Sequence, residues 1–188
     1  DTYLPFADIS PDAWYYSYVQ TAYSFGIING KNEMEFDPDA GLTCAEAAKI
    51  AAVIHNKSQY EREEVEFQMT GENWYDVYVD YCYDNAILED YIIFDWEKNA
   101  TRAQVAYLFS RCDVNPYFIN DVPITDIPDV YDTTPHAYEI LDLYNKGIAV
   151  GSDEYMTYYP DSQVKRSEAA ALISRILCYD MRIELPKG

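Results

Sequence analysis

The sequence predicts an all-α fold built from three helix-loop-helix units. One helix start occurs three times: Thr43-Cys44-Ala45-Glu46, Thr101-Arg102-Ala103-Gln104 and Lys165-Arg166-Ser167-Glu168. The starts lie 58 and 64 residues apart, the spacing of an internal repeat. Each is followed by an apolar stripe of helical period, such as Val105, Ala106, Leu108 and Phe109, and each is preceded by a second one. In those earlier runs Val19/Ala22/Tyr23, Val79/Cys82/Tyr83 and Ile140/Leu143/Tyr144 fall at i, i+3, i+4, one face of a helix.

The first unit, 1–56, opens with Phe6-Ala7-Asp8-Ile9 and Ser10-Pro11, a helix or turn start. A helix is expected from about Trp14 to Phe25, ended by Gly26 as a left-handed cap. Asn29-Gly30 and the turn Phe36-Asp37-Pro38 lead to a second helix reaching about His55. The second unit, 57–120, begins with a charged connector (Glu61, Arg62, Glu63, Glu64, Glu66), expected as a solvated linker with at most a short exposed helix. Trp74 then matches Trp14, Ala86 matches Gly26, and Phe94-Asp95-Trp96 matches Phe36-Asp37-Pro38. The front of this unit is worn, with Phe67-Gln68-Met69-Thr70 in place of Phe6-Ala7-Asp8-Ile9. The third unit, 121–188, starts at Ile124-Thr125-Asp126-Ile127 after turn residues Asn115-Pro116 and Asn120-Asp121, and ends in a short tail from Cys178. Gly151 matches Gly30, and Tyr158-Tyr159-Pro160 matches Phe36-Asp37-Pro38. Two helices with one stripe each cannot exclude water alone, so the three units are expected to pack together, around a pseudo-threefold axis or in a row.

The charge balance, 13 basic against 33 acidic residues and a net −20, makes nucleic acid a poor partner and disfavours anionic membrane surfaces. A local basic spot still allows an anion. No apolar run approaches the ~20 residues that span a bilayer, so no membrane insertion is expected. Asp1 to Pro5 lacks the basic and apolar parts of a signal peptide, although a cleaved one is compatible with this sequence. Twenty tyrosines imply an aromatic surface as well as an aromatic core.

No cofactor or metal is expected. Cys44, Cys82, Cys112 and Cys178 lack metal-ligand spacing, and Cys82 and Cys112 fall on core stripes. The acidic loops (Asp37, Asp39, Asp95, Glu97, Asp153, Glu154) lack a calcium-loop pattern. His55 and His136 have no partner motif, and no Ser/His/Asp set, phosphate loop or zinc motif argues for catalysis.

Phe-x-Asp-Ile, Trp, Gly-Ile-x-x-Gly, Phe-x-Pro and Leu/Ile-Thr-Arg-Ala-Glu together resemble the S-layer homology domain in three copies, over nearly the whole chain. The resemblance implies a pseudo-threefold trimer of repeats with a central helix bundle. It also implies non-covalent anchoring on a bacterial cell wall or surface layer, by binding an anionic secondary cell-wall polysaccharide, often pyruvylated. The rival function is a diverged scaffold for other surface proteins or surface-layer assembly, suggested by Cys44, the worn second unit and the net charge.

The residues of the repeated start divide by chemistry. Thr43/Glu46 and Thr101/Gln104 fit a capping box, in which an N-cap change to Ala costs about 0.5–2 kcal/mol. Arg102 and Arg166 stand at the first helical position, where a cation is unfavourable unless an anion joins it. A guanidinium beside free helical N–H groups suits a carboxylate such as a pyruvate ketal, and the alternative is an ion pair with an acidic neighbour. Lys165 adds a charge beside Arg166, while Gln104 and Glu168 complete those starts and are counted with them as candidate ligand-binding residues. Trp14 and Trp74 are read first as core anchors and second as sugar-stacking groove residues. Gly30 and Gly151 either admit a ligand close to the backbone or only turn the chain. Cys44 replaces the arginine in the first unit, which predicts a silent or retuned groove there. Were it exposed, Cys44 at a helix N-terminus would be a reactive thiol.

Overall fold

In the computed structural model, which describes residues 3–59, 63–69 and 71–187, capping chemistry sets where the longer helices begin. Among these residues there are six α-helices and no strands: α1 Tyr16–Ser24, α2 Cys44–Lys57, α3 Asp76–Asp84, α4 Arg102–Cys112, α5 Ala137–Asn145 and α6 Arg166–Leu177. Thr43 with Glu46 and Thr101 with Gln104 form full capping boxes. Lys165 has no acceptor atom, so only half a box remains at α6: its backbone N–H donates to Glu168 Oε1 at 3.0 Å.

The first helix of each unit is shorter than its apolar pattern suggests. Tyr15 and Tyr75 precede α1 and α3 without a side-chain cap, and Ser10-Pro11 forms a turn closed by Ala13 N–H on Ser10 O. The ends follow the expected left-handed pattern. Gly26 and Gly147 have φ +70°, and Ala86 takes φ +57° in the equivalent place. The next N–H reaches back five residues in each case (Ile27 to Ala22, Ile87 to Cys82, Ile148 to Leu143), a Schellman closure.

The stripes do not pair within a unit. α3 packs on α2, α5 on α4, and α1 on α6, so each first helix lies on the second helix of the preceding unit and the ends of the chain meet. α2 also packs against α4. The contacts bury Val19, Ala22, Val79, Cys82, Ile140 and Leu143; a buried Ile or Leu contributes about 1.5–3 kcal/mol. Cys82 and Cys112 are fully buried free thiols, as their stripe positions predict.

Backbone hydrogen bonds join the units in the same cyclic order. At α2, Cys44 and Ala45 N–H donate to Lys98 O and Trp96 O at 2.8 and 2.9 Å. At α4, Arg102 and Ala103 N–H donate to Ser162 O and Pro160 O at 2.7 and 2.9 Å. At α6, Arg166 and Ser167 N–H donate to Ala40 O and Pro38 O at 2.9 and 3.0 Å. Helix starts leave such donors unpaired, and here the loop of another unit satisfies them.

Two sequence expectations change, the register of the third unit and the C-terminal tail, while the connector is, over its described residues, the largely exposed, non-helical linker expected. The motif aspartate of the third unit is Asp129, three residues beyond Asp126. Asp129 accepts Tyr158 and Tyr159 N–H at 2.9 and 2.7 Å, as Asp8 accepts Phe36 and Asp37 N–H at 2.9 and 2.7 Å. Ile127 and Val130, both buried, thus stand for Phe6 and Ile9. The described part of the connector, 63–69, is not helical and is tied down where Asn56 exchanges two 2.8 Å bonds with the Val65 backbone; Glu61, Arg62 and Thr70 lie outside the described residues. The C-terminal segment is integral to the fold. Ile183 N–H donates to Gly147 O, Leu185 N–H donates to Asn120 Oδ1, and buried Arg182 pairs with Asp113 at 3.1 Å.

Candidate ligand grooves

Arg102 leaves the start of α4 and crosses to the third unit. Its Nε donates to Tyr158 O at 2.6 Å, its guanidinium lies 4.8 Å from the Tyr158 ring centre, and Nη1 pairs with Glu168 Oε2. Arg166 repeats this against the first unit: Nε donates to Phe36 O at 2.8 Å, the guanidinium lies 4.7 Å from the Phe36 ring centre, and Nη1 pairs with Glu46 Oε2 at 3.5 Å. Arg166 Nη2 also donates to Asn29 O. Burial lowers the Arg166 pKa, against the raising effect of Glu46, Asp37 and Asp8.

The expected anion site is therefore corrected in part. The first helical N–H groups are not free, because the neighbouring loop takes them, and the ion pair with an acidic neighbour is formed at both arginines. Arg166 spends all three nitrogens on the protein. Arg102 Nη2 has no partner among the described residues.

Each arginine nevertheless lines an open groove. The larger, about 330 Å³, gathers Arg102, Glu168, Trp14 and Gly151 with Leu172 and Arg175. The smaller, about 150 Å³, gathers Arg166, Glu46, Trp74 and Gly30 with Ile50 and Lys49. Position for position, the two share an arginine, a capping glutamate, a tryptophan, a glycine loop and a branched aliphatic side chain.

Trp14 and Trp74 are corrected from core anchors to groove walls, at 61% and 45% exposed. Their ring geometry is nearly the same. Trp14 meets Tyr15 and Tyr18 edge-on at 5.4 and 6.2 Å, and Trp74 meets Tyr75 and Tyr78 at 5.5 and 6.3 Å. The Trp position precedes a helix whose buried stripe starts only at Val19 or Val79, so the indole falls outside the packed face. Gly30 and Gly151 serve the turn: an added Cβ would meet Phe6 at 2.4 Å or the Met156 backbone at 2.6 Å, and Gly151 has φ +84°. Lys165 is separated from Arg166. It is exposed, 3.8 Å from Asp39, on a surface shared with Trp14 and Glu168.

At the third junction Cys44 Sγ donates to Gln104 Oε1 at 3.4 Å, where the other junctions hold an arginine and a glutamate. Tyr107, 2% exposed, fills the space. Its hydroxyl accepts Glu89 N–H at 3.1 Å and its ring lies 4.6 Å from His136, which also meets Phe94. Burial pushes the Cys44 thiol up to about 11, with Asp95 adding to the rise. The reactive-thiol alternative is thus overturned, because burial outweighs the helix N-terminus.

Sequence reasoning missed Lys49 and Arg175. Lys49 Nζ lies 5.5 Å from the Tyr78 ring centre, and the Arg175 guanidinium lies 4.9 Å from that of Tyr18. Arg175 is held by Ile148 O and the Tyr18 hydroxyl. Neither belongs to the repeated start, but Lys49 had a signal: it stands three residues after Glu46, as Tyr107 follows Gln104 and Ala171 follows Glu168.

Residues 5–48 match the family model of the S-layer homology domain. No curated protein matches the chain. A domain of this family is a non-catalytic anchoring module, implies non-covalent attachment to secondary cell-wall polymer, and indicates a bacterial cell-surface or S-layer protein. Among the described residues no helix is long and apolar enough to cross a membrane.

Proposed function

We propose that the chain is a wall-anchoring module of three tandem repeats, 1–56, 57–120 and 121–188, that binds an anionic, pyruvylated secondary cell-wall polysaccharide in grooves between them. The repeats form a pseudo-threefold trimer around α2, α4 and α6. The cyclic order of the helix pairs and of the loop-to-helix hydrogen bonds supports this arrangement.

One observation carries the binding role: two separate junctions assemble the same groups around an exposed tryptophan. The indole offers an apolar face for a sugar ring, and the wall beside it carries more positive than negative side chains. Arg102 and Arg175 stand against Glu168, and Arg166 and Lys49 against Glu46. In a chain of net −20, these are places where a ketal carboxylate meets a favourable field. The Arg102 groove is the stronger site, being larger and keeping Nη2 for the ligand.

Calorimetric titration of the 188-residue chain with purified pyruvylated wall polymer tests the reading. Binding is expected, and Trp14→Ala/Trp74→Ala is expected to weaken it by roughly tenfold or more, about 1.4 kcal/mol. Both side chains are exposed, so the double variant keeps its fold. Absence of binding by the native chain overturns the function, and undiminished binding by the double variant overturns the grooves.

A further inference from the structure

Besides the Arg/Cys and Glu/Gln differences, the two open grooves and the closed junction carry three different side chains at the helical position three residues after the capping Glu or Gln. Ala171 stands there in the Arg102 groove and Lys49 in the Arg166 groove. Tyr107 stands there at the third junction, its hydroxyl on the loop wall at Glu89 and its ring on His136 opposite. The groove with the methyl group there measures about 330 Å³, the groove with the lysine about 150 Å³, and at the third junction the buried tyrosine bridges loop wall and His136.

Lys49 carries a charge that its groove otherwise lacks in available form. Arg166 is 4% exposed as a residue, and its guanidinium is engaged by Phe36 O, Asn29 O and Glu46. Lys49 makes no ion pair or hydrogen bond among the described residues and rests over Tyr78, the ring that also packs against Trp74. An ammonium on a four-carbon stem can turn from that ring to an incoming anion.

We infer that this position decides what each junction admits, and that Lys49, not Arg166, is the cation that meets a ligand carboxylate in the Gly30–Trp74 groove. For the polymer, this rests on the anchoring function above. For anions in general, it stands on the groove itself.

Iodide is the probe. With Trp74 as the sole tryptophan (Trp14→Phe/Trp96→Phe), its fluorescence is quenched by iodide and, as a neutral control, by acrylamide. Lys49→Met is expected to lower the iodide quenching constant by roughly twofold, as loss of one nearby charge lowers local anion concentration, and to leave acrylamide quenching unchanged. With Trp14 as the sole tryptophan, Ala171→Tyr is expected to lower both constants. An unchanged iodide constant in Lys49→Met, or unchanged constants in Ala171→Tyr, overturns the inference whatever the polymer does. If quenching responds as expected but polymer fails to bind the native chain, the anchoring function falls while Lys49 stands as the groove's anion contact. If the native chain binds polymer, Lys49→Met in the Trp14→Ala background is expected to weaken binding several-fold, and an unchanged affinity removes Lys49 from the polymer site.

Discussion

Arg102 and Glu168, 66 residues apart, are joined as an ion pair that also closes a helix cap. Glu168 Oε2 takes the guanidinium, while Oε1 accepts the Lys165 backbone N–H at 3.0 Å. Glu46 does the same for Arg166 and Thr43. One carboxylate thus fixes the start of its own helix and the neighbour that reaches it.

Glu168→Gln separates these two roles. The amide oxygen still accepts from Lys165, but the charge opposite the largely buried Arg102 is gone. The expected loss is about 1–3 kcal/mol, read as a lower urea midpoint. Glu46→Gln is expected to cost less, because Arg166 also holds two carbonyls.

The register of the third unit is tested by two aspartates. Asp129→Ala removes two charge-assisted bonds to the Tyr158–Tyr159 turn and is expected to cost about 2 kcal/mol or more. Faster hydrogen exchange at those two amides accompanies it. Asp126→Ala, at an exposed site, is expected to stay within about 0.5 kcal/mol of the parent.

The three left-handed helix ends predict a graded series. Ala86→Gly relieves an L-residue at φ +57° and is expected to stabilise by about 0.5–1 kcal/mol, the left-handed penalty less the glycine entropy cost. Gly26→Ala is expected to lose a similar amount, since a Cβ there meets nothing closer than 3.9 Å. Gly147→Ala is expected to lose more, because its Cβ would lie 2.7 Å from Ile183 O. Thermal unfolding of the three variants orders them.

Alkaline stability follows from the buried thiols. Ordinary thiols titrate near 9, whereas burial holds Cys44 to about 11 and Cys82 to about 12. Between these values the unfolded chain binds fewer protons than the folded one, so stability falls as pH rises from 9. Urea midpoints are expected to drop between pH 9 and 10, and to drop less steeply in Cys44→Ala or Cys82→Ala. Above pH 10 buried Tyr158, raised to about 12 by burial, adds to the decline.

The sequence by itself determined what is local. Capping boxes join residues three apart, apolar stripes repeat within one helix, and left-handed glycines act on the turn they end, so short-range patterns announce them. The arginine lost to Cys44 was visible for the same reason, as a missing member of a repeated set. Asp129 was misplaced because Ile124-x-Asp126 and Ile127-x-Asp129 carry the same pattern, and only the turn 29 residues away selects between them. The tertiary structure alone decided which helices pair, that the helix-start N–H groups are taken by another unit, and that the tryptophans are groove walls. It also decided that Arg166 is spent on a carbonyl 130 residues distant, while Lys49 makes no ion pair or hydrogen bond among the described residues and rests over the Tyr78 ring. Such partners are set by how the chain closes on itself, with the first helix against the last, and no local spacing encodes that closure.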